Sequence, residues 1–240
     1  QINIGEKNQS FDIYKNNNSC IKKHWSASLH DLGDNIAGLE LHSVLQSNLN
    51  PIDGSMLEMM HYSLEWIRSN KFKGLIISGD GPNFCAGINL NLVLTSIHRK
   101  DWEEIELLEK NMQNLYQMIR FSEFPVVATP YGLVLGGGCE TINACDYSVA
   151  AAESYIGLVE VGVGLIPGAG GNLRMISNLS KKIKTSLPGS FPIVQKAFEC
   201  IGYAKIATSA SQAMNLGYLR ETDIIKINRE HLLSTAKELI

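Results

Sequence analysis

The sequence predicts an α/β domain, and three observations carry that prediction. Short apolar or alternating runs of strand type interleave with longer runs whose apolar residues recur at helical spacing, instead of gathering into separate halves. Glycine-rich turns separate the two kinds of run. The chain has 240 residues, 45% of them apolar and 19% charged, a size and composition suited to one large domain or two small ones with a real core.

Each element has its own justification. Residues 1–34 are polar and Asn-rich around Lys15 to Ser19, and read as a linker or peripheral arm ahead of a core over residues 35–225. From Asn35, IAGLELH alternates like a strand, and NLNPIDG at Asn48 to Gly54 is a turn. SMLEMMHYSLEWIRS then places Leu57, Met60, Leu64 and Ile67 at helical spacing behind a Ser55/Glu58 capping box. FKGLIIS reads as a short apolar strand, followed by the loop GDGPNFCAGINL, in which Asn89 is suited to cap the next helix. Trp102, Ile105, Leu108, Met112, Leu115 and Ile119 form one face of a second long helix. VVAT, YSVAA and YIGLV read as strands, with a short helix at CETINAC. Three shorter helical patterns follow, FPIVQKAFECIG, SASQAMNLG and NREHLLSTAKELI, and residues 226–240 are assigned to a C-terminal helix. The joint around Pro188 and Gly189 connects two helical patterns abruptly. No fixed-period repeat is present.

Composition excludes several functions. A net charge of −3 gives no basic face for nucleic acid. No apolar run approaches the ~18 residues of a membrane span, and the polar N-terminus lacks the apolar region of a signal peptide. The start at Gln1 reads as the start of a fragment. Five cysteines without CxxC pairs read as reduced thiols of a cytoplasmic protein. The six histidines are scattered without ligand spacing, so no metal site is expected. GxSxG, GxxxxGK[ST] and GxGxxG are all missing.

What calls for chemistry is LGGGCET, Leu135 to Thr141. The bland reading is a tight strand-to-helix turn. The alternative uses a helix starting at Gly137 or Gly138, whose first N–H groups lack intrahelical partners and carry the positive end of the helix dipole. Such donors suit an oxygen that becomes negative during reaction, and Glu140 follows one turn in. A second acid, Glu160, lies in the apolar, glycine-bounded GLVEVGVG. Each acid alone is readable as a cap or an ion-pair partner. Two acids facing one cavity would have shifted, coupled pKa values useful for moving protons. In NFCAGINL, the small Ala86 and Gly87 could also bring an N–H to a ligand.

The segments SGDGPNFCAGINL, FPVVATPYGLVLGGGCETINACDYSVAAAES and YIGLVEVGVGLIPGAGGNLRM together resemble the crotonase superfamily of enoyl-CoA hydratases and isomerases, over about Ile36 to Leu219. FPIVQKAFECIGYAK and VEVGVGLIPGAGGNLR are most similar to the hydratase domain of bacterial bifunctional 3-hydroxyacyl-CoA dehydrogenases. The resemblance implies a spiral of strand-strand-helix units with C-terminal helices that begin an oligomerisation region, usually trimer-based. It implies an oxyanion hole from the N–H groups of Ala86 and Gly137, and catalytic Glu140 and Glu160. Substrate and coenzyme A contacts are carried over to Ser47, Asn48, Leu49, Cys85, Gly87, Ile88, Gly136, Pro167 and Gly168. Hydration of 2-enoyl-CoA in fatty-acid β-oxidation is the implied activity. The alternatives are 3-enoyl to 2-enoyl isomerisation, or an idle acyl-CoA-binding assembly domain beside a dehydrogenase. No cofactor is implied, because coenzyme A is part of the substrate; NAD would belong to an attached dehydrogenase. Two departures stand out: Ile88 and Asn89 replace the frequent Ala and Asp, and the turn QSNLNP lacks the usual basic residue.

Overall fold

A computed structural model describes Phe11 and residues 19–183 and 191–240. In chain order these form β1 (Cys20–Lys23), β2 (Ala27–Asp31), β3 (Ile36–Leu41), α1 (Gly54–Asn70), β4 (Gly74–Gly79), α2 (Leu90–Arg99) and α3 (Trp102–Arg120). Next come β5 (Val126–Ala128), β6 (Gly132–Leu135), α4 (Gly137–Ala144), β7 (Tyr147–Ala151), β8 (Ser154–Gly157) and a 3-10 turn at Glu160–Val163. The chain continues with α5 (Gly171–Lys182), α6 (Phe191–Gly202), α7 (Ala210–Leu216), β9 (Ile224–Lys226), a 3-10 turn at Arg229–His231 and α8 (Leu232–Glu238). The joint at Pro188 and Gly189 lies outside the described residues.

Seven strands form one sheet in the order β1-β2-β3-β4-β5-β7-β9, and β6 pairs with β8 in a second sheet. The first three strands pair antiparallel and every later pair is parallel. Parallel neighbours need a crossover between them, and here the crossovers repeat as turns of a spiral. β5, β6 and α4 make one turn; β7, β8 and α5 make the next. The first strand of each turn enters the large sheet and the second enters the small one. The preceding segment follows the same plan, since β4 lies in the large sheet while Cys85 bridges Val134 of β6. This is the α/β spiral of strand-strand-helix units that the sequence resemblance implied.

Both faces of the central strands are covered, which is why GLIIS and PVVA read as continuous apolar runs. Leu75, Ile77, Val126 and Ala128 face the larger core with α1, α3 and α4. Ile76 and Val127 face the smaller core with Leu232, Leu233 and Ala236 of α8. Among the described residues no helix is long and apolar enough to cross a membrane. All five cysteines are free thiols, and four of them are buried.

Three expectations need correction. Residues 20–31, assigned to a linker or peripheral arm, carry two strands of the large sheet, β1 and β2. Their polar appearance misleads because Ser26, Ser28 and His30 are buried alongside Ala27 and Leu29; His30 Nε2 lies 3.3 Å from Glu40 Oε2. Helix α1 is capped by Asp53, whose Oδ1 accepts from the Met56 N–H at 2.9 Å, and not by Ser55. The Ser55 hydroxyl instead accepts from the Ser26 N–H at 3.2 Å. The C-terminal helix assigned to residues 226–240 is shorter, Leu232–Glu238, because Lys226 ends β9 and Arg229–His231 is a 3-10 turn; its apolar face packs on the large sheet.

Candidate active site

The small sheet decides where the chemistry-bearing residues go. Its register aligns Cys85 with Val134, and Val134 with Ile156. A few residues past these aligned positions the chain reaches Ile88, Gly137 and Glu160, so the three meet at one end of the sheet. A Cβ on Gly137 would stand 3.8 Å from the Ile88 nitrogen, and one on Gly136 would stand 3.3 Å from Glu160 Oε1. Glu140 joins them from the first turn of α4. All of these residues line one cavity of about 340 Å³, whose apolar wall includes Leu90 and Val93 of α2 and Ile105, Leu108 and Met112 of α3.

The three glycines serve different ends. Gly136 turns the chain out of β6 with φ 51°, a conformation that favours glycine, and its N–H donates to the Gly157 carbonyl at 2.9 Å. A Cβ on Gly138 would collide with the Cys85 carbonyl oxygen, so this glycine allows close packing of the helix on the neighbouring strand. Gly137 is the first residue of α4, so its N–H lies ahead of the intrahelical ladder, and the residue lines the cavity.

The two acids have contrasting surroundings. Glu140 is buried, and its Oε1 accepts from the Ala169 N–H at 3.0 Å and the Gly171 N–H at 2.7 Å, the amides at the start of α5. Burial pushes its pKa up to about 7; the Gly171 N–H opposes that shift, Glu160 adds to it, the Ala169 N–H opposes it and Glu109 adds to it. Glu160 opens the 3-10 turn, and both its oxygens are enclosed without a hydrogen-bond partner among the described residues. Burial raises its pKa as well, and the nearby N–H groups of Glu160 and Val159 offset part of that rise. The amides beside each acid offset only part of the cost of burial, so both carboxyls stay above the usual carboxylate range. Burial thus raises the pKa of both carboxyls on one cavity, and two such acids are able to share a proton as a coupled pair.

The oxyanion donors need one correction. The Ala86 N–H is already donated to the Leu49 carbonyl at 2.8 Å and is not available to a ligand. Two residues on, the Ile88 N–H donates to no acceptor among the described residues, and it faces Gly137 across the cavity. Of these two loop amides, it is that of Ile88 that a ligand in the cavity could use.

Of the other sequence-assigned contacts, Gly87, Ile88, Gly136 and Gly168 line the cavity, whereas Cys85, Ser47, Asn48, Leu49 and Pro167 do not. Cys85 is buried in its bridge to β6. Ser47, Asn48 and Leu49 are exposed. The Leu49 and Asn48 carbonyls take the Ala86 N–H and the Asn83 side-chain amide, the latter at 2.6 Å. The Pro167 carbonyl accepts from Asn172 Nδ2 at 2.9 Å. Sequence reasoning missed the cavity wall: Ile105, Leu108 and Met112 have the spacing of a core stripe, and one helix face can serve either purpose. It also missed Glu109, which lines the cavity beside Gly168.

Residues 34–186 match the profile of the Enoyl-CoA hydratase/isomerase family. Over 240 residues the chain is 40% identical to a "Probable 3-hydroxyacyl-CoA dehydrogenase" of Bacillus subtilis (strain 168), covering 99% of this chain and 29% of that protein. Over 137 residues it is 34% identical to a "Fatty acid oxidation complex subunit alpha" of Aliivibrio fischeri (strain ATCC 700601 / ES114), covering 55% of this chain and 20% of the relative. The chain thus spans less than a third of the length of these curated relatives. Among solved structures, an enoyl-CoA hydratase from Thermoplasma volcanium GSS1 superposes with a TM-score of 0.73 at 23% identity, covering 90% of this chain and 77% of that one. An enoyl-CoA hydratase from Bacillus anthracis gives 0.71 at 25% identity, covering 89% and 74%.

Proposed function

Because the chain belongs to the enoyl-CoA hydratase/isomerase family, we propose that it is a hydratase that adds water across the 2,3 double bond of 2-enoyl-CoA thioesters. The observation that carries this reading is the pair of acids on one cavity, one held in place by two amides and the other enclosed without a hydrogen-bond partner among the described residues. Addition of water to an enoyl thioester drives negative charge onto the thioester oxygen. The N–H groups of Ile88 and Gly137 would hold that oxygen, and one such donor is worth about 3–4 kcal/mol of barrier. Glu140 takes a proton from the water whose oxygen bonds to C3, and Glu160 gives its proton to C2. Proton exchange between the two acids and solvent restores the starting state. No cofactor takes part, since coenzyme A arrives with the substrate.

The names of the relatives favour a place in fatty-acid β-oxidation beside a 3-hydroxyacyl-CoA dehydrogenase, and the five free thiols suit the cytoplasm. Phe191, Phe198 and Tyr203, exposed on and just after α6, favour a homo-oligomer of the trimer-based kind. The deciding experiment follows the ultraviolet absorbance of the conjugated enoyl thioester. Purified protein should bleach a four-carbon or a long-chain 2-enoyl-CoA. Binding of both without bleaching would replace hydration by the assembly-domain reading.

A further inference from the structure

The Ile88 N–H is useful only if it is aimed, and Ile88 lies in a loop outside the named strands and helices. What holds that loop is the turn before α1. The Ala86 N–H reaches the Leu49 carbonyl at 2.8 Å, the Gly87 carbonyl accepts from the Ile52 N–H at 2.8 Å, and the Asn89 N–H reaches the Ile52 carbonyl at 2.8 Å. These bonds occupy the backbone on both sides of Ile88 and leave its own N–H for the cavity. The turn acts as a template, so its own anchorage matters.

That anchorage is Asn50. It is fully buried at 0% exposure, and its φ of 52° lies in the left-handed region that asparagine tolerates. Its Oδ1 accepts from the Ser43 N–H at 2.6 Å. Its Nδ2 donates to the Leu41 carbonyl at the end of β3 at 2.8 Å and to the Phe84 carbonyl at 3.0 Å. One carboxamide therefore ties β3, the turn and the start of the oxyanion loop together. Asn83 repeats the device nearer the surface, donating to the Asn48 carbonyl at 2.6 Å and accepting from the Leu133 N–H of β6 at 2.7 Å.

We propose that Asn50, seconded by Asn83, is a positioning residue that fixes the loop Phe84–Asn89 against the end of β3 and so aims the Ile88 N–H at the thioester oxygen. This rests on the hydration reading for the identity of that oxygen, but not for the anchorage itself. A displacement of about 1 Å in a catalytic donor lowers turnover by roughly a hundredfold. The interaction with the oxyanion strengthens in the transition state, so kcat and kcat/KM should fall together while KM stays nearly constant.

The test uses Asn50→Gly, which keeps the left-handed backbone unstrained, and Asn83→Ala as a milder cut. Two readouts are taken on each: steady-state hydration, and hydrogen exchange of the Ala86 and Asn89 amides with those of α4 as reference. The expected result for Asn50→Gly is a fall in kcat of about a hundredfold with KM within about twofold, and at least about tenfold faster exchange at Ala86 and Asn89 alone. Asn83→Ala should show the same pattern at smaller amplitude. A folded Asn50→Gly protein with wild-type kcat, or with only KM raised, overturns the proposal. So does unchanged exchange at the two amides. If Asn50→Gly does not fold, Asn83→Ala decides by the same criteria. Wild-type protein without hydratase activity defeats the hydration reading instead, and the exchange data still judge the anchorage.

Discussion

Glu140 and Glu160 reach the same cavity from supports of different quality. Glu140 stands on a regular helix, buried, with one oxygen fixed by two amides at the start of α5. Glu160 opens a short 3-10 turn whose neighbours Val161, Val163 and Ile166 are exposed, and its carboxyl lacks any hydrogen-bond partner among the described residues. The difference teaches how one residue type can occupy two roles. Fixed N–H donors hold one carboxyl in place and offset part of the cost of its burial, while the other is enclosed with less to fix it; burial raises the pKa of both. In the proposed reaction the first is the base toward water and the second is the acid toward C2.

The sharpest way to break the comparison is to neutralise each acid in turn. Glu140→Gln and Glu160→Gln should each lower kcat for hydration by about 10²–10⁴-fold, measured by loss of enoyl absorbance at saturating substrate. Hydration surviving within tenfold in either variant would remove that acid from the mechanism. Isomerisation of a 3-enoyl substrate needs a single proton shuttle. Its survival in Glu140→Gln, with hydration lost, would make Glu160 that shuttle.

The second test concerns pH and separates the two supports thermodynamically. Burial raises the Glu140 pKa from 4.5 to about 7. Between those values the folded chain keeps a proton that the unfolded chain has released, so this group's stabilising effect is complete below about pH 4.5 and is lost as pH rises to about 7. The span corresponds to about 3 kcal/mol, at roughly 1.4 kcal/mol per pKa unit. Glu140→Gln should remove most of that slope, so the variant melts higher than wild type at pH 8 and closer to it at pH 5. Parallel melting curves for the two proteins across this range would show that burial does not strain the Glu140 carboxylate.

How much of this site is legible in the sequence differs between its parts for physical reasons. Glu140 and Glu160 stand out because a carboxylate within an apolar, glycine-bounded run needs an explanation wherever the chain goes. The α/β class is legible from the interleaved patterns and the spiral only through the family resemblance, since β6 and β9, with four and three residues, are too short to show periodicity. The donor at Ile88 is not legible, because an N–H is free or taken according to its partner in space. Leu49, 37 positions before Ala86, takes the Ala86 N–H through a pairing that no local pattern encodes. The same distance hides the use of the turn: Ser47, Asn48 and Leu49 read as ligand contacts, whereas the Leu49 and Asn48 carbonyls hold Ala86 and Asn83 of the facing loop. The strands at residues 20–31 are hidden for the opposite reason: their polar side chains are buried, against the usual pattern.

The smallest expected effect tests the looser wall. Ile166 lines the cavity and is nonetheless 73% exposed, so most of its side chain contributes nothing to the folded core. Ile166→Ala should leave the melting temperature nearly unchanged, within about 0.5 kcal/mol of stability. An enclosed methylene in an apolar pocket is worth about 1–3 kcal/mol to a substrate, and this one is only partly enclosed. We expect KM for a long-chain 2-enoyl-CoA to rise about threefold with kcat unchanged, the signature of a contact made equally in ground and transition states. A four-carbon substrate, too short to reach the outer wall, should not register the change. If instead kcat falls for both chain lengths, Ile166 holds the turn that carries Glu160, and the wall beside that acid is as firmly built as the one beside Glu140.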